Sequence, residues 1–299
     1  MTENIELYGM VTTLRPLALL VRKTLTAIGL GLCITGTSLA NPTGPQVISG
    51  NAIFNNPSAD VLEIINDPNT IINWDDFSIG INELTRFIQQ NADSSVLNRV
   101  IGGNPSEILG QLLSNGQVWL INPNGIAFGD GAMVDTAGLV ASTLNISNED
   151  YLAGKFEFGD GSLTGAITNK GAIIANGEGS VFLIAPEIRN EGLIQTETGD
   201  VVLAAGKQAS ITSLEYDNIS FQVQSPEDSI INLGDLKTLG GAVAAYAGQI
   251  NQSGTIQANR ITQSDDGTIL LVADQNNVSG SLSATGQNGQ SGGTVHVLG

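Results

Sequence analysis

The stretch GAIIANGEGSVFLIAPEIRNE, Gly171 to Glu191, is followed directly by GLIQTETGDVVLAAGKQASI, Gly192 to Ile211, which repeats its plan 21 residues on. Each has a glycine, a short apolar strand, a polar turn with glycine, a second apolar strand and a polar exit. Further along, GTIQANRITQSDDGTILLVADQ from Gly254 is echoed by GSLSATGQNGQSGGTVHVLG from Gly280, and Gly267 by Gly293, both at 26 residues. Short strands repeating at such a period mark a parallel β-helix, because each turn of the coil lays its strands on those of the turn before. Ile173, Val181, Leu183, Ile194, Val201 and Leu203 sit two apart within their strands, so one set faces a shared interior. The runs VFLIA and VVLAA are more continuous and predict small residues on the outer side. Corner glycines are expected to take backbone angles that other residues resist. Asn169, Asn190 and Asn251 stand two or three residues before repeat glycines, which predicts an internal side-chain ladder. A sandwich of antiparallel strands also uses short strands and glycine turns, but it leaves the self-similarity unexplained.

The expected class is therefore all-β, a right-handed parallel β-helix. The stretch before it is less regular. Strands are expected at 47–54, 61–65, 70–74, 84–88, 96–100, 118–121, 126–128 and 139–143. Ile108, Leu109, Leu112 and Leu113 have a one-sided spacing that predicts a short helical turn over 105–113. This irregular portion reads as an amino-terminal cap, with extra-helical hairpins, over the open strand edges of the coil. At the other end the sequence stops at Val297-Leu298-Gly299, within a repeat.

The first 40 residues read as a secretory signal. Arg15, Arg22 and Lys23 precede an apolar run from Leu25 to Ile34, and Ser38-Leu39-Ala40 places small residues where a signal peptidase cuts, between Ala40 and Asn41. The run is too short to span a bilayer. The only cysteine, Cys33, lies inside it behind Leu32, where a lipoprotein signal needs a small residue. The mature chain then has no disulfide and must hold itself by burial and backbone pairing.

Composition agrees. Glycine numbers 37, charged residues make up 13% and aromatics 5%. Eleven Lys and Arg stand against 29 Asp and Glu, a net charge of −18 that disfavours nucleic acid or an anionic membrane as partner.

One segment is more distinctive than the repeats: GQVWLINPNGIAFGDGAMV, Gly116 to Val134. Pro123 and Asn124 suit the centre of a type I turn, Gly125 can take a left-handed conformation, and Asn122 can cap the turn with its own side chain. The local chemistry predicts a tight hairpin between a strand ending at Ile121 and one starting at Ile126. The wider run LNRVIGGNPSEILGQLLSNGQVWLINPNGIAFG, Leu97 to Gly129, followed by GLVASTLNIS, Gly138 to Ser147, resembles the secretion domain of two-partner-secreted exoproteins of the filamentous haemagglutinin family. Within it the resemblance is to the branch that includes the high-molecular-weight adhesins, over Val47 to Leu163.

The resemblance implies a partner rather than a reaction. Family members pass through the periplasm, are recognised by the POTRA modules of an outer-membrane β-barrel transporter, and fold as they emerge at the surface, as monomers during export. It implies a secretion domain over 41–163 and further β-helix repeats over 164–299. It puts Asn122, Pro123, Asn124, Gly125 and Ile126 in the main recognition motif and Asn98, Asn104 and Pro105 in its upstream run. Host glycans or proteins are the implied targets of an adhesin or haemagglutinin-like passenger. A second Asn-Pro-Asn-Leu turn of some members is absent, since Gln89-Gln90-Asn91-Ala92 stands in that region.

The rival is a secreted β-helical polysaccharide-active enzyme. Its candidates are Asp75-Asp76, Asp228 with Asp235, and Asp265-Asp266, and each reads better as a solvated turn. His296 reads as a strand side chain, and a mature chain without cysteine builds neither a Cys/His nucleophile nor a cysteine metal site. Regularly spaced aspartates of a calcium-binding repeat are missing, so no cofactor or metal is expected. Trp74 and Trp119 could serve as carbohydrate platforms but sit in apolar strands, where packing is the commoner role.

Overall fold

The computed structural model describes residues 41–159, 165–211, 219–222, 228–262, 267–287 and 289–299. The expected signal segment through Ala40 lies outside them, as does Asp265-Asp266. The described chain winds as a parallel β-helix whose coils have three faces. The first face runs from Thr70–Trp74 through Ser95–Val100, Gln117–Ile121, Gly138–Ser142 and Val181–Ala185 to Val201–Ala205, each strand parallel to the next. The second runs through Ser106–Ile108, Ile126–Phe128, Ala166–Asn169, Glu187–Asn190 and Ser229–Asn232. The third carries Val61–Asn66 through to Ser281–Ser283. In the last coils two faces merge, because Val243–Gln252 and Ile269–Val278 each span the first and second without a break.

The repeats seen in the sequence are the coils themselves: Ala172 pairs with Leu193, and Thr255 with Ser281. The glycines that open each repeat act by size, whereas Gly177 and Gly267 in the polar turns take the expected positive φ, 63° and 65°. A Cβ on Gly192 would fall 2.1 Å from the Gly171 carbonyl oxygen, and one on Gly234 would fall 2.1 Å from that of Gly192. Coils stack too closely at this corner for any side chain, and these glycines are absent from the positive-φ set. The ladder is likewise shifted from its expected membership. Asn169 Nδ2 donates to Asn190 Oδ1 at 2.8 Å, Asn190 to Asn232 at 2.8 Å, and Asn232 to Gln252 Oε1 at 2.6 Å. Asn251 is one residue out of phase and faces outward, where it accepts from Asn277. Counting back two residues from each glycine reaches Asn169, Asn190, Asn232 and Gln252; the last member is a glutamine, so a search for asparagine picks its neighbour Asn251 instead.

The interior is a column of aliphatic side chains, including Ile173, Ile194, Leu236 and Ile256, each 1% exposed or less. Burying each such residue contributes about 1.5–3 kcal/mol. At the amino-terminal end Trp74 meets Phe54 and Phe77 edge-on at 5.8 and 5.5 Å, and Phe77 stacks with Phe87 at 6.4 Å. Above this plug lies the cap, as two strands rather than one: Gln46–Ser49 pairs antiparallel with Thr70–Trp74, and Ala52–Ser58 with Val61–Asn66. No helix forms over 105–113. Strands Ser106–Ile108 and Gln111–Ser114 occupy it, because Ile108 and Leu112 turn into the coil from different faces.

The outer side of the first face is also apolar, contrary to the expectation of small residues there. Ile71, Leu97, Trp119, Val140, Phe182, Val202 and Ala244 are in register as one row. Extra-helical segments cover it. One carries the short helix Asn148–Leu152 and the strand Phe156–Phe158; the other adds Gln208–Ile211 and Ile219–Gln222, making a three-stranded antiparallel sheet. A sheet buried on both faces reads as a continuous apolar run, which is why VFLIA and VVLAA do not alternate.

Candidate recognition corner

Asn122 to Ile126 joins the first face to the second. It is a coil corner, not a hairpin: Gln117–Ile121 pairs with the coils above and below it, and so does Ile126–Phe128, but the two do not pair with each other. The turn chemistry read from sequence is present all the same. The Gly125 N–H donates to the Asn122 carbonyl at 3.1 Å, and Gly125 has φ of 123°, in the region that disfavours a side chain.

The Asn122 side chain is fully buried and uses its whole hydrogen-bonding capacity. Its Oδ1 accepts from the Asn124 backbone N–H at 3.0 Å and from Asn124 Nδ2 at 3.1 Å. Its Nδ2 donates to the Asn104 carbonyl and to Ser106 Oγ, both at 3.0 Å. Asn124 Nδ2 also reaches the Gly102 carbonyl at 2.9 Å. These contacts tie the segment 102–106 of the preceding coil to the turn. From the following coil, Gly165 rests directly on it, since a Cβ there would fall 2.4 Å from the Gly125 nitrogen.

The sequence-derived candidates thus divide by exposure. Asn122, Gly125 and Ile126 are buried, Pro123 and Asn124 half-buried, and Asn104 and Pro105 exposed beside Ile101. Asn98 stands apart, inside the coil, where its Oδ1 accepts from Trp74 Nε1 at 3.0 Å and its Nδ2 donates to the Trp119 carbonyl at 3.3 Å. A buried amide in an apolar column needs such partners, so Asn98 serves the core. Asn41 is half-buried and its Oδ1 accepts from Thr85 Oγ1 at 2.9 Å. Ser106, Gly102 and Gly165 belong to the corner but carry no signal in an isolated sequence, because only stacking brings them to it.

Arg99, the neighbour of Asn98 in LNRV, faces outward. Its Nε donates to Asn145 Oδ1 at 3.0 Å, its guanidinium nitrogens to Asn148 Oδ1 at 2.7 Å and the Ile146 carbonyl at 2.6 Å. The upstream run therefore meets the downstream STLNIS segment, a link that only the joint occurrence of the two hints at. Among the acid candidates Asp75 is exposed and Asp235 is engaged by Lys237 at 2.7 Å, but Asp228 is buried rather than in a solvated turn. Trp74 and Trp119 are both buried, the first inside the coil and the second under the outer cover.

The family model for the TPS secretion domain, the secretion domain of two-partner systems, matches residues 46–297. The chain belongs to the TPS secretion domain family. The crystal structure of the HMW1 secretion domain from Haemophilus influenzae superposes with a TM-score of 0.78 at 35% identity, covering 82% of this chain and 68% of that one. The filamentous hemagglutinin secretion domain shares the fold, with a TM-score of 0.51 at 15% identity over 87% of this chain and 100% of that one. A heme/hemopexin-binding protein of Haemophilus influenzae is 32% identical over 219 residues, which are 68% of this chain and 24% of that protein. A second protein of that name is 33% identical over 130 residues, 42% of this chain and 14% of its own length. This chain therefore spans about a quarter or less of those relatives.

Proposed function

We propose that the chain is the export-directing end of a longer surface protein, with an adhesin or haemagglutinin-like passenger. Residues 1–40 act as a signal cleaved between Ala40 and Asn41, and the exported chain crosses the periplasm as a monomer. There the POTRA modules of an outer-membrane β-barrel transporter recognise the secretion domain, and the β-helix folds as it leaves the cell. Residues 41–163 carry the recognition function, and 164–299 begin the shaft. The supporting observation is the family match over 46–297. A segment shared with both the HMW1 secretion domain and a heme/hemopexin-binding protein carries what such proteins have in common, which is export.

Recognition is assigned to the corner with a division of labour. Asn122, Asn124, Gly125 and Ile126 shape it; Asn104, Pro105 and Pro123 present it, while Asn98 of the same motif run holds the core beneath. The test is secretion alongside the partner transporter, with thermal stability measured in parallel. Replacing Asn104, Pro105 and Pro123 together by alanine is expected to retain the chain in the periplasm while leaving its stability close to wild type. Normal secretion of that variant overturns the assignment of recognition to this corner.

A further inference from the structure

We infer that Arg99 is the positioning residue of a strap, residues 143–159, which closes over the outer apolar row and can open there while the coils stay folded. The inference is independent of the recognition role proposed for the corner. The strap is closed at its own base: Asn145 and Gly159 exchange backbone hydrogen bonds of 3.1 and 3.0 Å. A loop tied at its neck is a compact unit; its strand Phe156–Phe158 stays paired with Gln208–Ile211, so opening means the segment 145–151 lifting from Arg99. It contributes Leu144, Ile146, Tyr151 and Phe158 to the cluster around Trp119. Tyr151 meets Trp119 at 5.4 Å and Phe158 stacks on it at 6.0 Å.

What Arg99 adds is unlike these apolar contacts. Its guanidinium fork faces Asn145, Ile146 and Asn148 on the strap and, at 3.5 Å, Asn73 on its own face. All are neutral oxygens, and among the described residues no carboxylate lies within ion-pair distance of Arg99. A planar fork of five donors can serve that many acceptors at fixed angles, whereas an ammonium on a flexible stem cannot. Burial lowers the affinity of Arg99 for its proton, so the cation is held there at a desolvation cost that its neutral partners offset. The helix Asn148–Leu152 starts at one of these partners, with Ser147 as its N-cap. Fixing Asn145 to Asn148 therefore sets where Tyr151 enters the row, and its hydroxyl lies 2.6 Å from Ser95 Oγ.

The test is hydrogen exchange followed by mass spectrometry on the purified chain. In Arg99→Ala the amides of 145–151 are expected to exchange at least about tenfold faster, while Gln117–Ile121 beneath them keeps its protection. Arg99→Lys falls between the two, because charge without the fork meets fewer acceptors. The Tyr151 phenol, which burial holds far above the ordinary tyrosine range, returns toward that range in an ultraviolet titration of Arg99→Ala. Unchanged exchange over 145–151, or an equal rise in the strap and in Gln117–Ile121, overturns the inference. Should Arg99→Ala fail to fold, the double variant Asn145→Ala, Asn148→Ala alters only the strap and is judged by the same two segments.

Discussion

The corner at Asn122 and the ladder at Asn190 are built from the same side chain, yet they hold the coil in opposite ways. Asn190 meets copies of itself: its neighbours above and below are Asn169 and Asn232, each giving one amide bond in the same geometry. Asn122 meets no copy. Its four bonds go to two different segments, 104–106 and its own turn. Repetition spreads a coil's stability over many equivalent contacts, as nearest-neighbour stacking does in repeat proteins generally. The corner concentrates it in one residue. The difference teaches where a β-helix without disulfides is most sensitive: in the irregular coils next to its cap.

Asn122→Ala is the sharpest way to probe the difference. It removes two donors and the acceptor for Asn124, leaving the buried Ser106 hydroxyl and the Asn104 carbonyl without these partners. Unmet buried groups cost about 1–3 kcal/mol each, and a loss of about 3 kcal/mol in urea unfolding is expected. The ladder should respond less. Asn190→Ala breaks one bond on each side and is expected to cost about 2 kcal/mol, while Asn169→Ala, at the end of the ladder, costs about 1 kcal/mol. Equal losses at Asn122 and Asn190 would break the contrast.

The same division explains what could be read from the chain before its structure. The repeats around Gly171, Gly192, Gly254 and Gly280 declared the coil because each repeat shows its neighbours the same pattern. The turn at Asn122 was also legible, since Pro-Asn-Gly fixes local angles whatever surrounds it. What it joins was not: a tight turn serves a hairpin or a coil corner equally, and only the ladders on either side decide. The ladder was misread where its residue type changes, at Gln252 beside Asn251, and where an insertion separates the Gly192 coil from the Gly234 coil. Extra-helical hairpins were expected, but the row they cover was not legible, because the apolar residues beneath them look, in one dimension, like more interior.

The strap and the coil beneath it differ at alkaline pH. Burial raises the Tyr151 pKa above its ordinary value of 10.0, the neutral phenol being the form that the site accepts. A raised folded pKa stabilises the native state fully below the unfolded value, and that contribution is lost as pH rises above about 10. Unfolding free energy should therefore fall with pH from there upward. Tyr151→Phe loses the Ser95 bond, about 1 kcal/mol at neutral pH, but should remove this part of the alkaline slope. A slope unchanged in Tyr151→Phe would place the alkaline sensitivity elsewhere.

The smallest effect belongs one residue from Asn190, on the other side of the same strand. Arg189 points outward and pairs with Glu191, and Lys170 lies 4.0 Å from that carboxylate. The Arg189 hydrogen bond holds the Glu191 pKa below the usual carboxylate value. A depressed folded pKa gives stability above the unfolded value, lost as pH falls through the folded one. Both partners are solvated, and such pairs contribute little. Arg189→Gln is thus expected to leave the urea midpoint at neutral pH unchanged within error, and to show only a slightly shallower loss toward acid. Were it to cost as much as Asn190→Ala, the inward ladder would not be what holds this coil, and the contrast between the two regions would have to be redrawn around their surfaces.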